Sequence, residues 1–124
     1  MKSHLTAIEL RHCIAELQEL CHGRMDKIYQ PTPEELLFQI HLPNKGRVLL
    51  KFIKGKFLYR TMHKQEIPLQ PSSFCMYLRK RLGNARITAI QQVNFERVVL
   101  IVLETKEQQY HFYAELFGKG NFLL

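Results

Sequence analysis

Leu36-Leu37-Phe38-Gln39-Ile40-His41-Leu42-Pro43-Asn44-Lys45-Gly46-Arg47-Val48-Leu49-Leu50-Lys51-Phe52-Ile53 is the stretch that decides the fold. Leu36, Phe38, Ile40 and Leu42 alternate with Gln39 and His41, a period of two that puts the apolar set on one side of a half-buried strand. Pro43-Asn44-Lys45-Gly46 turns the chain into Arg47–Ile53, and Lys54-Gly55 turns it again into Lys56–Arg60. The pattern predicts antiparallel strands joined by short turns.

Toward the N-terminus, a short strand is predicted over Arg24–Gln30, stopped by Pro31-Thr32-Pro33. Before it, Thr6-Ala7-Ile8-Glu9 is a capping box: the Thr6 hydroxyl takes a free backbone N–H while Glu9 reaches back. The helix it opens carries Leu10, Ile14, Leu17 and Cys21 on one face and Glu9, His12, Glu16 and Glu19 on another. His22-Gly23 ends it, with Gly23 expected in the left-handed conformation.

Toward the C-terminus, Thr61–Pro71 reads as a loop and Ser72–Leu82 as a second helix, capped by Ser72 and closed by Gly83. Strands are predicted over Arg86–Val93, Arg97–Glu104 and Gln109–Leu116. Gly118-Lys119-Gly120-Asn121 turns the chain, and Phe122-Leu123-Leu124 begins another strand. The prediction is one α+β domain over 1–124, with seven or eight antiparallel strands, an N-terminal helix and a helix inserted midway. The three apolar residues at the end suggest the front piece of a longer chain.

The net charge of +7 is unevenly placed. Residues 1–35 hold four Lys/Arg against six Asp/Glu, and residues 96–124 hold three against four. The middle, 36–95, holds eleven against the single acid Glu66, a net +10. Such a one-sided block calls for an anionic partner, and nucleic acid is the commonest. The longest apolar run, Val98–Leu103, is six residues, far short of a membrane span. No signal peptide is visible, because Glu9 and Arg11 interrupt any h-region. Cys13, Cys21 and Cys75 are odd in number and form no CxxC, so they read as reduced packing residues of a cytosolic protein.

Few residues suggest chemistry. Gly118-Lys119-Gly120 lacks the spacing and the following helix of a phosphate loop. The six histidines form no HxxxH or HExxH, and His12 with Glu9, Glu16 and Glu19 reads as a solvated stripe rather than a metal site. No cofactor is expected. The informative patch is Phe74-Cys75-Met76-Tyr77-Leu78-Arg79-Lys80-Arg81-Leu82. Phe74, Leu78 and Leu82 make its buried stripe, and Arg79, Lys80 and Arg81 crowd the last turn. One cation would complement a helix dipole; three exceed that need. With Lys51, Lys54, Lys56 and Arg60 on the hairpins, they suggest a surface that meets phosphates. Tyr29, Tyr59 and Tyr77 offer rings for stacking.

The order of several segments resembles the N-terminal domain of the NFACT family, ribosome quality-control factors formerly described as fibronectin-binding proteins. The segments are Gly23-Arg24-Met25-Asp26-Lys27-Ile28-Tyr29-Gln30-Pro31, Ser73–Leu82, Arg86-Ile87, Glu96-Arg97-Val98-Val99 and Glu115-Leu116-Phe117-Gly118-Lys119-Gly120-Asn121, the last looking most like archaeal members. The resemblance implies a fold similar to the N-terminal domain of formamidopyrimidine DNA glycosylases, an antiparallel β-sandwich with flanking helices. It implies binding of the obstructed large ribosomal subunit and recruitment of tRNA for template-free extension of stalled chains. It also implies roles for an acid of the first helix, matching Glu9, and for an Asp-Arg pair, matching Glu96-Arg97; both acids are Glu here.

The reading is an RNA-binding module, not an enzyme, with Arg97, Arg79, Lys80 and Arg81 as its RNA contacts and Glu9 and Glu96 positioning that surface. Glycosylase chemistry is not expected, since those enzymes attack with an N-terminal proline followed by a glutamate and this chain begins Met1-Lys2-Ser3. Two rivals are a glycosylase-like DNA-binding domain and a protein-interaction or dimerisation module. Uncovered apolar edge strands would mark the latter, and the Phe122–Leu124 end admits self-association of the fragment.

Overall fold

A computed structural model describes residues 6–43, 45–55, 57–61, 70–117 and 119–124. The predicted hairpins form β1 (Arg24–Thr32), β2 (Glu35–Leu42), β3 (Gly46–Ile53) and β4 (Phe57–Thr61). After α2 (Ser73–Leu82) come β5 (Arg86–Gln92), β6 (Val98–Glu104), β7 (Gln109–Glu115) and β8 (Asn121–Leu123). The N-terminal helix is α1 (Ala7–Leu17), drawn out by a 3₁₀ turn over Gln18–Leu20. Most of the predicted loop after Thr61, with Glu66 and Pro68, lies outside the described residues, as do His4, Asn44, Lys56, His63 and Gly118.

The strands form one eight-stranded antiparallel sheet in the order β4-β3-β2-β1-β5-β6-β7-β8. Among the described residues its two halves share a single register pair, Arg24 with Arg86. It is flanked by the Met25 amide to the Ala85 carbonyl and the Ile87 amide to the Gly23 carbonyl, both at 2.8 Å; beyond it the halves diverge and fold over each other. Their inner faces meet through aromatic rings. Phe38 of β2 lies 5.2 Å from both Phe52 of β3 and Phe112 of β7, and Phe112 lies 6.2 Å from Phe122 of β8. Edge-to-face rings are the favoured packing, and Phe38, Phe52 and Phe112 are fully buried. On the far side the Gly55 amide donates to the Glu115 carbonyl at 3.3 Å. There Gly120, at φ +74°, passes so close to the backbone of Lys54 and Gly55 that any Cβ would collide with it.

Each helix fills the space left where β1 and β5 part. α2 begins at the Ser72 cap, whose hydroxyl accepts from the Cys75 amide at 3.0 Å, and it buries Cys75, Leu78 and Leu82. Along β1 the Ile28 carbonyl, lacking a strand partner on that side, accepts from Arg79 Nε at 2.8 Å and from Cys75 Sγ at 3.5 Å. α1 opens on the predicted capping box, with Thr6 N to Glu9 Oε1 at 2.9 Å and Glu9 N to Thr6 Oγ1 at 3.1 Å. Its Gln18 amide donates to the Ile90 carbonyl of β5 at 2.8 Å.

Several expectations change. The left-handed residue after α1 is His22, at φ 75°, and not Gly23. Gly23 is glycine for want of space: a Cβ there would lie 2.7 Å from Ile40 Cγ2 and 2.9 Å from the Leu20 carbonyl oxygen. β1 runs on through Pro31 to Thr32, because Pro31 falls at the register irregularity between Tyr29 and Thr32, where its missing N–H breaks no rung. β2 is buried on both faces from Leu36 to Ile40, Leu37 and Gln39 included, so alternation understated its burial. Gln39 meets its polar need in part by donating to Asp26 Oδ2 at 2.6 Å.

The packing around Ile28 gives a first test. Cys75→Ser is expected to cost about 1–2 kcal/mol, since it exchanges a packed sulfur for a smaller, more polar oxygen. Thermal unfolding checks it, and an unchanged melting temperature would contradict the burial of this face of α2.

Candidate nucleic-acid interface

At one end of β6 the structure gathers three of the predicted residues. β5 ends at Gln92, and the chain turns through Asn94 and Phe95, both left-handed at φ 48° and 58°. A bulky residue such as Phe95 adopts that conformation only where neighbours hold it there. The turn is closed by the Val93 amide to the Val98 carbonyl at 3.0 Å and the Glu96 amide to the Val93 carbonyl at 2.9 Å. Gln92 then acts as a clamp: Nε2 donates to the Glu96 carbonyl at 2.8 Å and to the Ala7 carbonyl, in the first turn of α1, at 3.0 Å.

Glu96 and Arg97 are thereby held beside the start of α1, where Glu9 sits. The Arg97 carbonyl accepts from the Leu116 amide at 2.7 Å, which fixes the end of β7 alongside. Ala7, Glu96, Arg97 and Phe117 line a cleft of about 280 Å³. Ile8, Phe95 and Phe117 stay exposed near it, and the Arg11 guanidinium lies 5.8 Å over the Phe95 ring.

The second predicted group divides. Arg79 turns inward onto the Ile28 carbonyl, its guanidinium 5.8 Å from the Tyr29 ring, so its first task is to hold α2 on β1. Lys80 and Arg81 face a cleft of about 600 Å³ that also takes Arg24, Arg86 and Lys106. Arg81 lies 3.9 Å over the Tyr77 ring, which stacks in turn on Phe74. This cleft sits at the C-terminal end of β6, beside Glu104. The RNA contacts predicted as one surface are thus two, at opposite ends of one strand.

The hairpin cations are already engaged. Lys51 pairs with Glu35 at 3.3 Å, Lys45 and Arg60 both meet Glu19, and Lys54 lies 5.3 Å over the Phe122 ring. Lys56 lies outside the described residues. On this side two carboxylates, Glu19 and Glu35, thus offset three of the cations, whereas at the end of α2 Lys80 and Arg81 form no ion pair among the described residues. Sequence reasoning missed Arg24, Arg86, Gln92 and Phe117. The two arginines each open a strand, a signal visible in the sequence; the clamp by Gln92 has none.

Burial pushes the thiols of Cys13, Cys21 and Cys75 above the ordinary value, with Glu16 and Glu9 adding to the shift at Cys13. Thiols so held stay protonated and are poor nucleophiles. Among the described residues no group of three or more His, Cys, Asp or Glu could hold a metal, and no helix is long and apolar enough to cross a membrane.

Comparison with known proteins adds to this geometry. A family model described as NFACT N-terminal and middle domains matches residues 6–124. The archaeal Rqc2 homolog aRqcH of Methanocaldococcus jannaschii is 42% identical over 99% of this chain and 19% of its own length. The human ribosome quality control complex subunit NEMF is 31% identical over 100% of this chain and 12% of its own. The chain thus spans about a fifth or less of the length of these curated relatives. The crystal structure of the N-terminal domain of fibronectin-binding protein PavA from Streptococcus pneumoniae superposes with a TM-score of 0.87 at 34% identity, covering 95% of this chain and 48% of that one.

Proposed function

The chain belongs to the NFACT family, and from that premise we propose that it is the RNA-binding module of a ribosome quality-control factor. It engages the obstructed large ribosomal subunit and tRNA recruited for template-free extension of stalled nascent chains. The module acts by binding, with no catalytic step of its own. Kinship with formamidopyrimidine DNA glycosylases belongs to the proposal as architecture alone.

The observation that carries the reading is the assembly around Arg97. The family-matched Glu96-Arg97 and Glu115–Phe117 meet at one end of β6, beside the first turn of α1 that carries Glu9. A guanidinium carried on backbone held between a clamped turn and a strand grips a phosphate in two places, while exposed rings beside it offer stacking faces for unpaired bases.

Arg97→Ala is expected to weaken tRNA binding about tenfold or more, since loss of a fixed phosphate contact costs about 1–3 kcal/mol. The control is Lys45→Ala, which removes an equal charge at an exposed position outside the family-matched segments and away from both clefts. Lys106, whose turn carries no family motif, is unsuitable as a control because it lines the larger cleft. Anisotropy titrations with folding checked by circular dichroism decide it. Equal effects from the two folded variants would mean diffuse attraction and would overturn the role of Arg97.

A further inference from the structure

One rung of the sheet carries a line of basic side chains. From β3 across to β5 the directly opposed residues are Arg47, His41, Arg24 and Arg86, with Glu104 next on β6. Opposed residues project to the same side of a sheet. Their neighbours Met25, Ile87 and Leu103 are fully buried, so the line faces outward, and all four of its basic members are exposed. At a strand spacing of about 4.8 Å the line is roughly 14 Å long. Lys80, Arg81 and Lys106 border its β5 end.

Two acids, Glu104 and Glu107, share the cleft at the β5 end with five Lys/Arg. Among the described residues Arg24, Lys80, Arg86 and Lys106 form no ion pair. Glu104, directly across from Arg86, instead accepts from Gln109 Nε2 at 3.2 Å. Like charges directly opposed weaken a ladder, and here they occupy the register pair at which β1 meets β5. A joint selected only for stability would hold opposite charges or small polar groups.

We infer that this row is a second nucleic-acid site, which takes consecutive phosphates of an RNA backbone. The Arg97 cleft lies at the other end of β6, roughly 20 Å away by strand rise. Guanidinium forks suit phosphate in two-point contact, and a straight row at a regular interval suits a polymer with regularly spaced charges. In RNA the covalent backbone fixes that interval, whereas an acidic peptide must be held extended to match it. The Tyr77–Arg81 stack at the margin supplies a planar face for a base. The inference rests on the RNA-binding reading above and adds to it a second, separate contact.

The test pairs Arg24→Gln/Arg86→Gln with Arg97→Ala in tRNA titrations across a salt series. The double variant is expected to bind tRNA about tenfold more weakly, to lower the slope of log K against log salt by about two, and to melt at the wild-type temperature or a few degrees above it. Should it fold poorly, Lys80→Gln/Lys106→Gln, which alters no residue of the β1–β5 rung, takes its place with the same expected binding readings. If Arg97→Ala weakens binding and the folded double variant keeps full affinity and slope, the row is overturned and the proposed function stands. If the double variant loses affinity and Arg97→Ala does not, the row stands and the role of Arg97 fails. A wild-type chain that binds no tRNA even at low salt overturns both. Polyglutamate that displaces tRNA as well as a second tRNA does would overturn the nucleic-acid assignment in favour of an acidic protein partner.

Discussion

Phe112→Ala is expected to lower stability by about 4 kcal/mol and the melting temperature by roughly 15 °C. Phe112 is fully buried and lies within 5.2–6.2 Å, ring centre to ring centre, of Phe38, Phe52 and Phe122. It therefore fills the middle of the space between the two layers, where strands from both halves hold their positions and little can move into the gap. The cost is the lost transfer of a benzyl group from water plus the cavity it leaves. Exposed Phe95 is the contrast. Phe95→Gly is expected to keep or slightly raise stability, because glycine adopts the left-handed conformation without penalty. Thermal melts followed by circular dichroism compare the two. A wild-type melting temperature for Phe112→Ala would mean that the layers do not meet at these rings.

Binding of tRNA is expected to fall about a hundredfold or more when salt rises from about 50 to 200 mM. Each neutralised phosphate contributes about 0.9 to the slope of log K against log salt, and a fourfold rise in salt is about 0.6 decades. Arg24, Lys80, Arg86 and Lys106, at one cleft and without an ion pair among the described residues, offer roughly four such contacts, with Arg47 at the far end of the row a fifth. The whole +10 block would instead predict a slope of about nine. That larger value is not expected, because Lys45, Lys51 and Arg60 already face carboxylates. A slope near four supports a local site, whereas a slope near one would leave room for Arg97 alone.

What the sequence disclosed was local. The hairpins followed from alternation and turn residues, and the capping box of Thr6 and Glu9 was visible as a four-residue pattern. Long-range geometry was not. No period reveals that Arg24 will face Arg86, that Arg79 will turn in to reach Ile28, or that β2 will be covered on both sides. Gly23 illustrates the difference. Its position after a helix suggests a left-handed cap, yet its reason is contact with Ile40, which lies on another strand. For the candidate site, the resemblance marked Glu9, Glu96 and Arg97, but only the fold brings them together, through an amide at Gln92 that carries no motif.

The register pair of Arg24 and Arg86 also bears on how the chain reaches its native state. Each half of the sheet is a run of hairpins whose pairings are close in sequence, so each can form early. Uniting the halves closes loops of about sixty residues, at Arg24 with Arg86 and again at Gly55 with Glu115, and that entropy is lost before any contact between the layers repays it. Docking of two preformed meanders is therefore the late step, and the repulsion at its seam opposes it. A polyanion seated on the row would cancel that repulsion, and would thereby hasten closure of the seam and slow its opening.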